Sequence, residues 1–158
     1  MPLPESTWLR VTTQLDCLST LLAGAESTAL ERKPSPDRWS ARENLAHLAR
    51  YQHVFMERLE RIRTERDPQI PRYLAEHDPQ WKSWAPRPSS ELLEDLRTQR
   101  SELVRHIREW TDSDLAKTGI HSRLGRLTAI EWLEFFLLHE AHHLLAIFQR
   151  ARESNSVT

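Results

Sequence analysis

The sequence predicts an all-α protein, a four-helix bundle with a long crossover between the second and third helices. Four segments carry apolar residues three or four positions apart, which is the spacing of amphipathic helices that pack against one another. The chain has only three glycines, and this small number argues against a β-rich or doubly wound fold. We expect a single domain, residues 1–158, which is long enough to bury a core.

The first two predicted helices are separated by a break that contains two prolines. The first helix is predicted over residues 7–24, and the break lies at residues 31–39. The second helix is expected to begin after Ser40, because Ser40 and Glu43 form an S-x-x-E capping box. Its apolar periodicity continues to about Arg63.

The crossover between the second and third helices spans residues 65–89 and contains five prolines, which forbid a long helix. Two tryptophans in it, Trp81 and Trp84, are expected to hold this segment against the bundle. The third helix is predicted to begin after a cap formed by Ser89 or Ser90. A crossover of this length indicates that the two flanking helices are not simple hairpin neighbours.

The last predicted helix, Thr128–Arg150, is apolar on most sides and is therefore expected in the core. Thr128 and Glu131 form a T-x-x-E capping box at its start. Near its middle, His139 and His143 lie one turn apart on the same face of the helix. Two neutral imidazoles at this spacing suit a divalent metal such as Zn, Ni or Fe, although buried histidines that only form hydrogen bonds are the alternative.

The same segment also matches the H-E-x-x-H signature of zinc metalloproteases, in which the glutamate is the general base. We reject that interpretation, because the usual third ligand lies further downstream and only fifteen residues follow His143. The side chain of Glu140 points away from His139 by helical geometry, so Glu140 is expected to be exposed or to form an ion pair. Because so few residues follow His143, a third ligand for the His139–His143 pair must come from upstream.

His47 is the best upstream candidate, because it lies on a predicted helix at the edge of a buried face. His53 and His77 are expected to face solvent. Three histidines would leave an open coordination position, which a catalytic metal needs and a structural metal usually fills.

Composition and charge exclude several classes of protein. The net charge of −1 gives no basic surface for nucleic acid or for an anionic membrane. The single cysteine, Cys17, excludes an internal disulfide and fits a reducing compartment. Neither a secretory signal nor a transmembrane stretch is recognisable. We therefore expect a cytoplasmic protein that binds neither membranes nor nucleic acid.

Two motifs together resemble the DinB/YfiT-like family of metal-dependent enzymes. Residues 39–48 read W-S-x-x-E-x-x-x-H-L, and residues 139–143 read H-x-x-x-H on the last helix. The resemblance implies a four-helix bundle, usually a homodimer, with a divalent metal held by His47, His139 and His143. It also implies a small-molecule substrate. Known activities in this family are thiol-dependent S-transfer and isomerisation, with bacillithiol, mycothiol or glutathione as cosubstrate, and hydrolysis.

The expected function is therefore a metal-dependent S-transferase or hydrolase that acts on small molecules, with a low-molecular-weight thiol as possible cosubstrate. The alternatives are a non-catalytic metal-binding protein of the stress response and a plain helical bundle. Glu43 has two candidate roles, the capping box and the orientation of an imidazole ligand. The resemblance does not extend to the residues after His143, because the H-H-R-G-Q ending of a common variant is absent here.

Overall fold

The computed structural model describes residues 2–153, and it confirms the all-α four-helix bundle. The helices of this region are α1 (Glu5–Thr13), α2 (Cys17–Leu21), α3 (Ser27–Glu31), α4 (Ala41–Thr64), α5 (Trp81–Trp84), α6 (Ser89–Arg108), α7 (Asp112–Ala116) and α8 (Ala129–Glu153). Short 3₁₀ turns lie at Gln14–Asp16 and Ala75–His77. The strands are β1 (Gln69–Ile70), β2 (Thr118–His121) and β3 (Gly125–Thr128).

Both predicted capping boxes form at the starts of the two longest helices. At α4, the Ser40 hydroxyl accepts from the Glu43 N–H at 3.1 Å, and the Glu43 carboxylate accepts from the Ser40 N–H at 2.9 Å. At α8, Thr128 and Glu131 form the same reciprocal pair, at 3.3 and 2.7 Å. Each box gives side-chain partners to backbone N–H groups that a helix start leaves unpaired. The predicted starts of these two helices are thus confirmed.

The prediction of one continuous helix over residues 7–24 is wrong. The chain forms α1, then the 3₁₀ turn Gln14–Asp16, then the short helix α2. The hydroxyls of Thr12 and Thr13 donate back to the carbonyl of Leu9, and Thr12 also bonds the carbonyl of Trp8. Such side-chain bonds to the preceding turn compete with regular helix geometry and bend it.

The predicted serine cap of the third helix is also wrong. The N-cap residue of α6 is Pro88, with extended backbone and no side-chain cap bond, and Ser89 and Ser90 lie in the first turn. The Pro88 carbonyl accepts the first helical hydrogen bond, from Leu92 N–H at 3.1 Å. Proline before the first turn starts the helix here, because its restricted φ already suits the extended cap conformation.

A three-stranded sheet, which was not predicted from the sequence, joins the two long connections. β1 comes from the crossover and pairs in parallel with β2, with Gln69 opposite Ile120 and Ile70 opposite His121. β2 and β3 form an antiparallel hairpin in the connection before α8. The sheet therefore fixes the crossover beside the start of the last helix.

The core lies where α4 packs against α6 and α8. Phe55 of α4 and Phe136 of α8 stack with their ring centroids 4.1 Å apart. As expected, Trp84 of the crossover is buried against this core, and Trp81 packs beside it. Trp132 of α8 is fully buried, and its indole N–H donates to the Gly119 carbonyl at 3.3 Å. Within residues 2–153, no helix has both the length and the apolar character that crossing a bilayer requires.

Candidate metal centre

Three histidines from two helices converge on one point. His47 projects from α4, and His139 and His143 project from α8. One ring nitrogen of each lies within 4.8 Å of the other two. The Nε2 atoms of His47 and His139 are 3.0 Å apart, and the ring centroids of His47 and His143 are 4.3 Å apart. We call these three residues the histidine cluster.

The surroundings keep the histidine cluster uncharged. Burial, then the neighbouring histidines, lower the pKa of His47 to about 2 and that of His139 to about 3. Burial and the nearby His142 lower the pKa of His143 to about 4. All three imidazoles are therefore neutral at physiological pH, and a neutral imidazole has the lone pair that a metal requires.

One hydrogen-bond chain selects the tautomer of His143. The Asn44 amide nitrogen donates to the Ser40 carbonyl at 2.8 Å, so the Asn44 carbonyl oxygen faces His143. That oxygen lies 2.8 Å from Nδ1 of His143 and accepts its proton. The proton on Nδ1 leaves the lone pair on Nε2. A metal-binding histidine is commonly oriented by such a partner on its other ring nitrogen.

The donor set fits a divalent transition metal. Two ligand nitrogens on one tetrahedral ion lie about 3.3 Å apart, given metal–nitrogen bonds of about 2.0–2.1 Å. The 3.0 Å between His47 and His139 is close to that separation, although it also suits a hydrogen bond between the two rings. The Nδ1 atoms of His47 and His139 are buried and have no hydrogen-bond partner among the described residues. Imidazole nitrogen is a ligand for Zn, Ni and Fe alike.

The other residues singled out in the sequence have different positions. Glu43 bonds Ser40 in the capping box and pairs with Lys33 at 2.8 Å, and these contacts give no support for its alternative role of orienting an imidazole. His142 is exposed, with its ring 5.1 Å from that of His143, and lies outside the histidine cluster. His77 is exposed as expected, but His53 is half-buried and bonds Asp95 at 3.0 Å.

Glu140 is buried, so the expectation of an exposed side chain is wrong and that of an ion pair is confirmed. Its side chain is 1% exposed and pairs with Arg100 of α6. Gln14 and Gln52 also donate to its carboxylate, at 2.8 and 3.3 Å. Glu140 does not line the pocket that contains the histidine cluster. It is therefore not placed to act as the general base of a metalloprotease.

The histidine cluster lines a pocket of about 530 Å³, a volume typical of small-molecule sites. Trp39 contacts the rings of His47 and His143 at centroid distances of 4.9 and 5.9 Å. The lining also includes polar and aromatic side chains that were not predicted to be functional from the sequence, among them Tyr51, Arg58, Arg72, Tyr73, His121 and Arg123.

The hydroxyl of one pocket residue, Tyr51, is held by an arginine. Arg58 Nη1 donates to the Tyr51 oxygen at 2.9 Å, and the ring centroid of Tyr51 is 4.4 Å from that of His139. Burial raises the pKa of Tyr51, so the phenol stays protonated. Tyr51 lies four residues after His47, and Arg58 lies seven after Tyr51. That helical spacing was the one sequence signal that could have placed these side chains on the same face.

Three solved structures have a similar fold. YfiT from Bacillus subtilis, described as a probable metal-dependent hydrolase with an unusual four-helix bundle topology, is 18% identical with a TM-score of 0.78. The match covers 96% of this chain and 87% of YfiT. TT2238, a four-helix bundle protein, is 22% identical with a TM-score of 0.64, over 90% of this chain and 95% of that chain. A DinB-like protein from B. subtilis, YjoA, is 17% identical with a TM-score of 0.63, over 97% and 94%.

The sequence itself identifies the family. No curated protein is similar enough to this sequence to count as a match. The DinB superfamily profile, however, matches residues 10–147, which include all three members of the histidine cluster. The match agrees with the bundle architecture and with both sequence motifs. The chain belongs to the DinB superfamily.

Proposed function

We propose that this protein is a metal-dependent enzyme that acts on small-molecule substrates, with a divalent ion held by His47, His139 and His143. The observation that carries the proposal is the histidine cluster, three neutral ring nitrogens within 4.8 Å of one another in the lining of a 530 Å³ pocket. Three protein ligands leave a coordination position for a reactant. The description of YfiT as a probable metal-dependent hydrolase supports the same chemistry for a protein of this fold.

A divalent ion in the histidine cluster would act as a Lewis acid and would make a water or thiol acidic enough to be a nucleophile near neutral pH. Tyr51 brings a hydroxyl into the same pocket, with its ring 4.4 Å from that of His139, centroid to centroid. Its oxygen already accepts from Arg58, and its own proton has no acceptor among residues 2–153. Tyr51 can therefore donate to an oxygen of the substrate that gains negative charge during the reaction.

The aromatic side chains around the histidine cluster limit the access of water to it. Trp39 covers His47 and His143, and Tyr73 lies 5.7 Å from His47, ring to ring. The Tyr73 hydroxyl donates to Asp78 at 2.9 Å, which holds the ring in place. Aromatic rings that exclude water beside the histidine cluster orient a small substrate and strengthen the electrostatic interactions there.

Metal content tests the ligand assignment. Protein prepared without a histidine tag should bind one divalent ion per chain, measured by elemental analysis after dialysis. His47→Ala, His139→Ala and His143→Ala should each abolish stoichiometric binding, whereas His53→Ala and His77→Ala should not. His142→Ala is the matched control within the same helix. Full occupancy in His47→Ala, or a loss in His142→Ala equal to that in His143→Ala, would refute the assignment.

Activity assays then separate hydrolysis from S-transfer and from a non-catalytic role. The metal-loaded protein is tested against aryl esters and amides, and against low-molecular-weight thiols paired with a carbon electrophile. A rate that depends on the metal and is lost in His139→Ala identifies the reaction class. Stoichiometric metal without turnover in either assay would favour the non-catalytic alternative.

A further inference from the structure

Two arginines that line the pocket come from equivalent positions after paired strands. Ile70 of β1 lies opposite His121 of β2 in a parallel pair. Arg72 follows Ile70 by two residues, and Arg123 follows His121 by two residues. Parallel strands end at the same edge of a sheet, so the segments that follow them run side by side.

Hydrogen bonds hold the two segments together. The N–H of Ser122 donates to the carbonyl of Ile70 at 3.2 Å, and the N–H of Arg72 donates to the Ser122 hydroxyl at 3.0 Å. Arg58 donates to the carbonyl of Pro71, the residue before Arg72, at 2.8 Å. The backbone positions of Arg72 and Arg123 are therefore defined, although their side chains reach solvent.

The charge of this part of the pocket is positive. Arg58, Arg72 and Arg123 line it, and Glu76 is the single acidic residue of the lining. No carboxylate of residues 2–153 forms an ion pair with Arg72 or Arg123, whereas most other arginines of that region have such a partner. Guanidinium groups without a carboxylate partner are suited to an anion, because their N–H forks match the oxygens of carboxylate and phosphate.

His121 adds a neutral donor to the same wall. Its Nδ1 accepts from the N–H groups of Arg123 and Leu124, at 3.2 and 3.1 Å. The ring proton is therefore on Nε2. Burial, and then the charges of Arg58, Arg123 and Arg72, lower the pKa of His121, so the ring stays neutral beside this wall.

We propose that Arg72, Arg123 and His121 form an oxyanion-binding subsite, and that the substrate carries a carboxylate or phosphate group besides the group that reacts at the histidine cluster. The part of this proposal that concerns the substrate rests on the proposed function. The part that concerns binding does not, because the three residues recognise an anion whether or not a metal is present. Both groups of the substrate would then be bound in one pocket.

The test measures the binding of two anions, succinate and inorganic phosphate, by calorimetry at low ionic strength, with uncharged succinamide for comparison. Comparing the two anions shows whether carboxylate or phosphate is the preferred group. Wild type should bind at least one of them and should not bind succinamide. The double variant Arg72→Gln/Arg123→Gln should bind that anion at least about tenfold more weakly, because losing even one charge-assisted hydrogen bond has about that effect. Arg97→Gln, an exposed position on α6 outside the pocket, should bind like wild type.

The same titrations are repeated on protein treated with a chelator and on His139→Ala. Anion binding that survives both treatments and weakens only in the arginine variant supports the subsite. Anion binding lost in His139→Ala and unchanged in the arginine variant would overturn it, because the anion would then be at the histidine cluster. Absence of binding in wild type would overturn it as well. Metal content measured in parallel reports on the proposed function independently.

Discussion

At the scale of single residues, the histidine cluster is defined by its protonation state as much as by its geometry. An imidazole of ordinary pKa would be partly charged at neutral pH and would repel a cation. Burial makes the charged form costly, and each neighbouring ring adds to that cost. Burial therefore keeps the three imidazoles neutral, at the expense of stability in acid.

The acid sensitivity of the metal-free protein follows from these pKa values. Each folded imidazole has a pKa below the unfolded value of 6.5, so below pH 6.5 the unfolded state binds more protons and the free energy of unfolding falls. For His47 alone, with a folded pKa of about 2, the loss is about 2 kcal/mol at pH 5. Urea titrations of chelated protein at pH 7 and pH 5 should show this fall, and a smaller one in His47→Gln. An identical pH dependence in the two proteins would contradict the explanation.

Removal of the Tyr51 hydroxyl tests its proposed role as a donor. Tyr51→Phe should keep stoichiometric metal and should lower kcat by about 100-fold, the usual effect of losing one donor to a developing oxyanion. The free energy of unfolding should fall by about 1–2 kcal/mol, because Arg58 Nη1 loses its acceptor. Tyr73→Phe is the matched control, since its hydroxyl already donates to Asp78. Equal losses of kcat in the two variants would exclude a special role for Tyr51.

At the scale of elements, a buried polar network joins four helical segments through Glu140. Glu140 of α8 contacts Arg100 of α6, Gln52 of α4 and Gln14 of the turn after α1. Arg100 also donates to the carbonyl of Val11, at 2.9 Å. Packing that left any one of these partners unpaired would be unfavourable, so the network favours a single arrangement of the bundle.

The Arg100–Glu140 ion pair should therefore be costly to break. Glu140→Gln leaves the buried guanidinium without its counter-charge and should lower the free energy of unfolding by about 3 kcal/mol. Glu134→Gln is a matched control on the same helix, because its ion pair with Arg10 is about one-third exposed and should contribute less than about 1 kcal/mol. Equal destabilisation in urea titrations of the two variants would contradict this. The double variant Arg100→Met/Glu140→Met should recover part of the loss.

What could be predicted from the sequence depends on how local each signal is. The capping boxes and the apolar periodicity of α4 and α8 are local, and both helices were predicted within three residues of their ends. Strand β1 has only two residues, and its partner lies about fifty positions further along the chain, so no local pattern indicated the sheet. The sheet also needs Gly119, where a Cβ would lie 2.9 Å from Ile62 Cγ1.

The candidate site also combines residues that a local sequence pattern predicts with residues that only long-range packing brings together. The pairing of His139 with His143 follows from helical spacing alone. Their contact with His47, 92 positions away from His139, needs the packing of α4 on α8, and the sequence suggested it only through the buried face of α4 and the family motif. The arginines of the pocket wall were not predicted at all, because the sheet places them there.

At the scale of the whole molecule, the sequence predicts a homodimer from the apolar area of Trp8, Trp39 and Trp132, but the exposed apolar surface lies elsewhere. Trp132 is fully buried and adds nothing to the surface. The large apolar side chains that are exposed include Leu138, Leu145 and Phe148, at 64%, 55% and 39%, which share one face of α8. Exposed apolar patches commonly mark contacts between proteins.

We predict that this face of α8 forms the contact of a homodimer. Light scattering of wild type at micromolar concentrations should give twice the chain mass, and Leu138→Glu/Leu145→Glu should give the monomer mass, because charges buried in an apolar contact are unfavourable. Leu9→Glu, an equally exposed leucine on α1, should leave the dimer intact. A monomer mass for wild type would refute the prediction.

The histidine cluster and the arginine wall of the pocket come from different parts of the fold, so one can change without the other. The histidine cluster is carried by long, buried helices, in which most substitutions disturb packing. Arg72 and Arg123 are carried by exposed segments after short strands, which tolerate substitution and changes of length. Mutation or segment exchange at these two places can therefore diversify the range of molecules that enter the pocket. The histidine cluster would stay unchanged through such exchanges, so selectivity could drift while the proposed chemistry is retained.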